Sequence, residues 1–374
     1  MNYKKTEECF HIYTNQCKEL IKKTFFTEED RKELHLNNKT DWEQKVEEHR
    51  LNLINIKIDH TMRMIDQIIQ INEKLNLKFD FRLVMKVAIL YHDIGRFEQA
   101  TWSNTFNDDA CHKKRLDYID HGQEGSKIFL SNNFEVDEQY IPLIGATIHH
   151  HVHPENMPNA NYKFNKELSN LNINDIITGH LELNDAEMKV AVLITQLVAD
   201  IDKIDILYQQ LDDNSGMIKK YIQDDSYDTL DNIAKYWGIS KAEIIEENEI
   251  NEYKYEPRII KIPIKNMELS KLEVPSYMKE MFYNNNWIPL TELKKDRHWH
   301  FISILWWRLS YFLNNINFYP VLATVEATNL LILMEEKVPE KLKPLTTEAF
   351  EYAQEVLVNK VCKENQNNLY IKRR

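Results

Sequence analysis

The chain has 374 residues, with 47 Lys+Arg against 59 Asp+Glu and a formal net charge of −12. Its 43% hydrophobic and 11% aromatic content supplies a large core and excludes compositional disorder, over a length that allows one large domain or two ordinary ones. Seven glycines, about 2% against an ordinary ~7%, are too few for a glycine-punctuated β-sandwich or propeller. Neither G-x-G-x-x-G nor G-x-x-x-x-G-K-[ST] occurs, which disfavours dinucleotide-fold and P-loop chemistry.

Residues 1–50 are rich in Glu and Lys with apolar positions at helical spacing (Cys17, Leu20, Ile21, Phe25), which predicts two or three N-terminal helices packing on a core. From 54 to 75, apolar residues recur at helical spacing around His60, and a second helix is predicted from 81 to 95 on the stripe Leu83, Val87, Leu90 and Ile94. Residues 97–120, polar and aromatic, read as a long functional loop with short helices. Further helices are predicted over 121–132, 138–152, 184–212, 298–315 and 320–336. The segment 211–256 carries 12 acidic residues against 5 lysines, and RIIKIPIKNMELSKLEV after it is the one alternating, β-like stretch. The segments are read as 1–50, N-terminal helices; 51–212, a metal-binding core; 213–290, an acidic insertion; and 291–374, C-terminal helices completing the same domain.

The four cysteines form no C-x-x-C, so free thiols in a reducing compartment are expected. The first residues carry no apolar signal core. The most apolar stretch, Trp299 to Leu313, contains His300 and Arg308 and reads as a buried helix and not a membrane span. A cytoplasmic protein is expected. Its acidic balance argues against a broad nucleic-acid footprint without excluding a local basic groove. The stripe Ile302, Leu305, Trp306, Leu309 and Leu313 reads as helical packing or as a homodimer face.

Eight of the 14 histidines fall between 60 and 153, mostly in apolar helical segments. In order they give His60, then His92-Asp93 in LYHDIGRF, His121 in DHGQEGS, the run His149-His150-His151, and later Asp200 and Asp202 in VADIDKID. Imidazole and carboxylate suit a borderline or hard divalent ion such as Mn, Fe, Co, Ni, Zn or Mg. Neighbours on one helix lie about 100° apart, so His92 and Asp93 can meet one ion from one turn. A carboxylate there can also bridge two ions, an arrangement suited to phosphate-ester hydrolysis. One helical His alone is more often a packed or surface residue; the ordered series is the informative feature.

That series resembles the HD-domain superfamily of metal-dependent phosphohydrolases. The matching residues are His60 with Arg63, His92-Asp93 in HDIGRF, His121 with Gly125, His150-His151, and an Asp at 200–202, over roughly residues 54–212. The resemblance implies an all-α, HD-domain-like helical bundle, here with added N- and C-terminal helices and a small insertion. It implies that His60, His92, Asp93 and the late Asp would hold one ion. His121 with His150 or His151 would hold a second, with Asp93 bridging. Two departures separate the chain from the branch that cleaves cyclic dinucleotides: no GYP follows the histidine run, and Ile56 stands where that branch can carry an acid. His150 and His151 are preferred over His149. Asp200 and Asp202 lie about 200° apart on a helix, so one ligand is expected from the pair, and Asp200 is preferred. Lys203 then follows one turn on, placed for a substrate phosphate.

The expected reaction is hydrolysis of a small phosphate ester, mono- or diester and most readily a nucleotide, by a water activated at a site of one or two divalent ions, with Arg96 as a phosphate clamp or, equally, a helix-end ion pair. His112-Lys113-Lys114-Arg115 reads as a solvated face before an anion-attracting one, and Trp102 and Phe106 as core caps before base-stacking surfaces. Glu98 and Asp108-Asp109 are candidate general acids. Two other readings share the ligand set. One is an HD-fold diiron oxygenase; the other is a non-catalytic sensor of metal or nucleotide.

Overall fold

The computed structural model describes residues 1–34, 36, 40–75, 78–160, 172–180, 182–209, 234–235, 240–248, 273–284, 286, 288–289, 301–315, 331–332, 334–336, 338 and 340–371. The described residues are helical, with short 3-10 turns and no strand among them. The all-α expectation is met. The β-like stretch 258–274 and the 320–336 helix lie largely outside the described residues, as does most of the acidic 213–290 segment.

The helices are α1 (Tyr3–Lys23), α2 (Glu28–Glu33), α3 (Trp42–Leu75), α4 (Phe79–Tyr91), α5 (Ile94–Trp102), α6 (Asp108–Lys114), α7 (His121–Ser131), α8 (Ile141–His150), α9 (Asp185–Gln209), α10 (Lys241–Asn248), α11 (Ser276–Tyr283), α12 (Phe301–Asn315) and α13 (Lys343–Ile371). The chain divides into two compact units, Met1–Asp202 and Lys203–Arg374. The division falls within α9, before the expected boundary at 212. The C-terminal helices, expected to complete the histidine-bearing domain, group with the second unit. No helix among the described residues is long and apolar enough to cross a membrane.

In the first unit, α1 packs on α3, α4 and α5, and α7 lies between α5 and α8. The long α3 turns one stripe inward, with Val46, Ile54, Met64, Ile65 and Ile68 buried, as the 3.6-residue repeat requires. An aromatic core joins the helices: Phe10 meets Tyr91 and Phe97 edge-on at 5.8 and 5.5 Å, and Tyr91 packs on Phe134 at 4.6 Å. The Tyr91 hydroxyl donates to the Thr6 carbonyl at 2.7 Å, which satisfies its buried polar tip.

A buried ion pair ties the N-terminal elements together. Arg50, only 2% exposed, donates to Asp30 Oδ1 at 2.6 Å, Asn104 Oδ1 at 2.8 Å and the Thr101 carbonyl at 2.9 Å. Asp30 also closes a capping box with Thr27 at the start of α2. Burial alone would raise the Asp30 pKa, but the Thr27 amide, the Arg50 charge and neighbouring donors outweigh it, leaving it below the ordinary value.

Two glycines let α5 and α7 approach at backbone distance. A Cβ on Gly95 would lie 2.2 Å from the His121 carbonyl oxygen, and one on Gly125 would lie 3.1 Å from the Gly95 nitrogen. The glycines of HDIG and HGQEG are thus the contact surface that brings the start of α7 against the start of α5.

In the second unit, the stripe Ile302, Leu305, Trp306, Leu309 and Leu313 is buried with Met278, Phe282, Phe350, Ala353 and Leu357. Being buried inside one unit, it is a packing face; the homodimer-face reading of this stripe is corrected.

Two outcomes are expected. Gly95→Ala forces α5 from α7 and lowers stability by about 1–3 kcal/mol, read by denaturant unfolding. Because the folded Asp30 pKa is depressed, its contribution is complete above the unfolded value of about 4 and is lost as pH falls through the folded value. Asp30→Asn therefore costs about 3 kcal/mol at neutral pH and loses less than wild type between pH 5 and pH 2, again by denaturant titration.

Candidate metal centre

The His92-Asp93 pair lies at a break in the chain and not on one helix. His92 is the C-cap of α4, and Asp93, at φ −99° and ψ 17°, is the N-cap of α5. The predicted continuous helix from 81 to 95 is corrected here. The apolar stripe does run across the break, which is why periodicity does not reveal it. The break turns the Asp93 carboxylate inward, where it is 2% exposed.

Around that carboxylate stand four buried histidines. His60 comes from α3, His92 from the end of α4, His121 from the first turn of α7, and His151 caps the end of α8. Asp93 Oδ2 lies 3.6 Å from His60 Nε2 and 3.4 Å from His92 Nε2, while Oδ1 lies 3.3 Å from His121 Nε2 and 3.7 Å from His151 Nε2. One carboxylate oxygen therefore faces each pair of rings. In each trio, His60/His92/Asp93 and Asp93/His121/His151, the potential ligand atoms lie within 4.8 Å of one another. Either group could hold a metal ion.

The rings are oriented from behind. His92 Nδ1–H donates to the Ile89 carbonyl at 2.7 Å, and His151 Nδ1–H donates to the Ile148 carbonyl at 2.8 Å. Each of these histidines ends a helix and uses a last-turn carbonyl three residues back. A carbonyl only accepts, so Nδ1 carries the proton and Nε2 presents a lone pair to the centre. His121 Nδ1–H donates to Asp108 Oδ2 at 2.9 Å, and Asp108 also accepts from the Tyr118 hydroxyl and Arg96.

The electrostatics keep the His92 and His121 rings neutral. Burial lowers the His92 pKa, and burial with the Arg96 charge lowers that of His121 to about 4. Burial opposes ionisation of Asp93, yet Lys57, His92 and His151 outweigh it and hold it well below the ordinary carboxylate value. In the same way His121, Arg96 and Tyr118 overcome burial and hold Asp108 down to about 2. The His121 and His151 Nε2 atoms are 3.1 Å apart, so two lone pairs face each other with their Nδ1 protons committed elsewhere. A cation between them relieves that conflict, and the N,N,O donor set is one a divalent ion accepts.

No family model, curated protein or solved structure matches the chain.

Each expected site residue has a definite place. His60, His92, Asp93, His121 and His151 converge; His150 does not join them. It is half-buried at the end of α8, its ring against His149 at 4.4 Å. Asp202 Oδ1 lies 3.0 Å from His60 Nε2, and Asp200 is buried on the same helix; neither aspartate belongs to the two groups of potential ligands. Arg96 is engaged as an ion pair: its Nη atoms donate to Asp108, Gln99 and the Phe106 carbonyl. Of its two expected roles, the structure shows this one. Lys203 begins the second unit. His298 and His300 lie outside the described residues.

The secondary candidates resolve similarly. Lys114 pairs with Glu33, and Arg115 with Glu98 and Glu124, so these two cations of the 112–115 run are satisfied within the unit. Trp102 packs edge-on against Tyr118 and donates to Glu98. Asp108, ionised and holding His121, is unsuited to donating a proton.

One residue escaped the sequence reading. Lys57 Nζ lies 2.5 Å from Asp93 Oδ2 and 5.6 Å from the Phe106 ring centroid. A cation one helical turn before His60 was the available signal.

His151→Ala is expected to lower bound divalent metal by about one ion per chain, with His150→Ala unchanged, by metal analysis after dialysis. Asp108→Asn, which loosens the hold on His121, is expected to weaken metal binding about 10–100-fold by calorimetric titration.

Proposed function

We propose that the protein is a metal-dependent phosphohydrolase that cleaves a small phosphate ester, with a nucleotide as the favoured substrate class. The observation that carries this reading is the division of the Asp93 carboxylate, Oδ2 toward His60 and His92 and Oδ1 toward His121 and His151. A bridging carboxylate between two imidazole pairs matches two-ion phosphate-ester hydrolysis. The order H…HD…H…H…D along the chain, which resembles the HD-domain phosphohydrolases, supports the same reading. Bound ions would supply Lewis-acid polarisation of a phosphoryl oxygen and a water acidic enough to attack near neutral pH.

The chain's own residues do the rest. His92 and His151 present fixed lone pairs because their Nδ1 protons are held by the helix ends. Asp108 fixes His121 and, remaining ionised, balances the Arg96 charge. Asp202 adds a carboxylate beside His60, with its pKa depressed because hydrogen bonding and charge from His60 overcome burial. Arg96 stabilises this arrangement from behind through its pair with Asp108.

The test is turnover of chromogenic phosphate mono- and diesters, then nucleotides, with Mn, Co, Ni, Zn, Mg and Fe(II) supplied separately. Wild type is expected to turn over a mono- or diester with at least one metal. His92→Ala and Asp93→Ala are expected to lose 10³-fold or more in rate, about 4 kcal/mol of barrier. Bound iron with oxygen uptake and no ester cleavage, or bound metal without any turnover, would refute the hydrolase.

A further inference from the structure

The two halves of the centre differ in what already occupies them. On the His121/His151 side, both Nδ1 protons are committed and the Nε2 atoms oppose each other at 3.1 Å. The Asp93 oxygen on this side, Oδ1, has Arg96 Nε at 3.9 Å, beyond hydrogen-bond reach, and the guanidinium is neutralised by Asp108 at 3.0 Å. This half presents three electron-pair donors, and Arg96, the cation paired with its carboxylate oxygen, stands off at 3.9 Å.

On the His60/His92 side the Nε2 atoms also oppose each other, at 3.3 Å, but here a cation and a second carboxylate are already in place. Lys57 Nζ sits 2.5 Å from Asp93 Oδ2, the oxygen this half would offer to an ion. Asp202 Oδ1 lies 3.0 Å from His60 Nε2 and can accept a hydrogen bond from it. The Lys57 ammonium is held in place from three directions: by its position one turn before His60 on α3, by the Asp93 carboxylate, and by the Phe106 ring at 5.6 Å. Its side chain is 17% exposed, so the charge is screened less than on an open surface.

Resting on the metal-centre reading, we propose that Lys57 is a tethered competitor for the second metal: the His121/His151/Asp93 half loads first and tightly, and the His60/His92/Asp93 half, with Asp202, loads weakly because an ion there must displace the Lys57 ammonium from Asp93. A divalent ion and an ammonium cannot share one carboxylate oxygen without repulsion that water screens poorly at this depth. The consequence is stepwise loading, with occupancy of the second ion set by free metal concentration.

The experiment is calorimetric and equilibrium-dialysis titration of the full-length chain with Mn²⁺, on wild type, Lys57→Met, Lys57→Gln and His151→Ala, each checked for helicity by circular dichroism. Lys57→Met keeps the length of the side chain and removes its charge; Lys57→Gln serves if the apolar variant misfolds. Wild type is expected to show a tight and a weak class of site. Removing the Lys57 charge is expected to tighten the weak class about tenfold or more while the tight class moves by less than about threefold, and His151→Ala is expected to abolish the tight class. A weak class that is unchanged or weakened in both Lys57 variants overturns the proposal, as does a tight class that survives His151→Ala. Absence of Mn²⁺ binding in wild type and in the Lys57 variants overturns the metal centre with it. Binding that follows the expected pattern without ester turnover leaves this inference standing and removes only the hydrolase.

Discussion

The Asp93 carboxylate is the point on which the first unit converges. It sits where the chain leaves α4 and enters α5, and its two oxygens address histidines delivered by α3 and α4 on one side and by α7 and α8 on the other. Such a buried anion is costly unless compensated. Here Lys57, Arg96 and four imidazoles surround it. The break at His92-Asp93 is where the chain turns this carboxylate toward both histidine pairs.

The packing around this point explains several features that do not ligate. Gly95 and Gly125 let α5 and α7 touch backbone to backbone, which sets His121 beside Asp93. Asp108, at the start of α6, reaches across to His121 and Arg96, so the 97–120 region works as scaffolding for the site. The buried Arg50–Asp30 pair and Asn104 anchor the segment between α5 and α6 to α2 and α3. Function and stability are therefore coupled through the same short stretch of chain.

Much of this was legible in the amino-acid order. Helical spacing placed the main helices of the first unit, and a run of histidines in apolar surroundings identified His60, His92, His121 and His151 as residues that meet. What was not legible depended on contacts between helices. The apolar stripe from Leu83 to Ile94 continues smoothly across the break at His92-Asp93, and no glycine or proline precedes it to mark the turn. In the triple-histidine run, neighbouring positions differ only in direction, and direction is fixed by how α8 ends: His151 caps the helix and bonds Ile148, while His150 turns outward against His149. The contact of Asp202 with His60 depends on how α9 is oriented toward α3, which the amino-acid order does not carry. Lys57 passed as one more helix-surface lysine, because nothing in its neighbours along the chain shows that Asp93 lies within reach.

The most direct test of the account is anomalous diffraction from crystals of the protein loaded with Mn²⁺ at high concentration. Two anomalous peaks are expected to flank the Asp93 carboxylate, one within bonding distance of His60 and His92 Nε2 and the other within bonding distance of His121 and His151 Nε2. Peaks elsewhere, or a carboxylate region with no anomalous density under saturating metal, would contradict it.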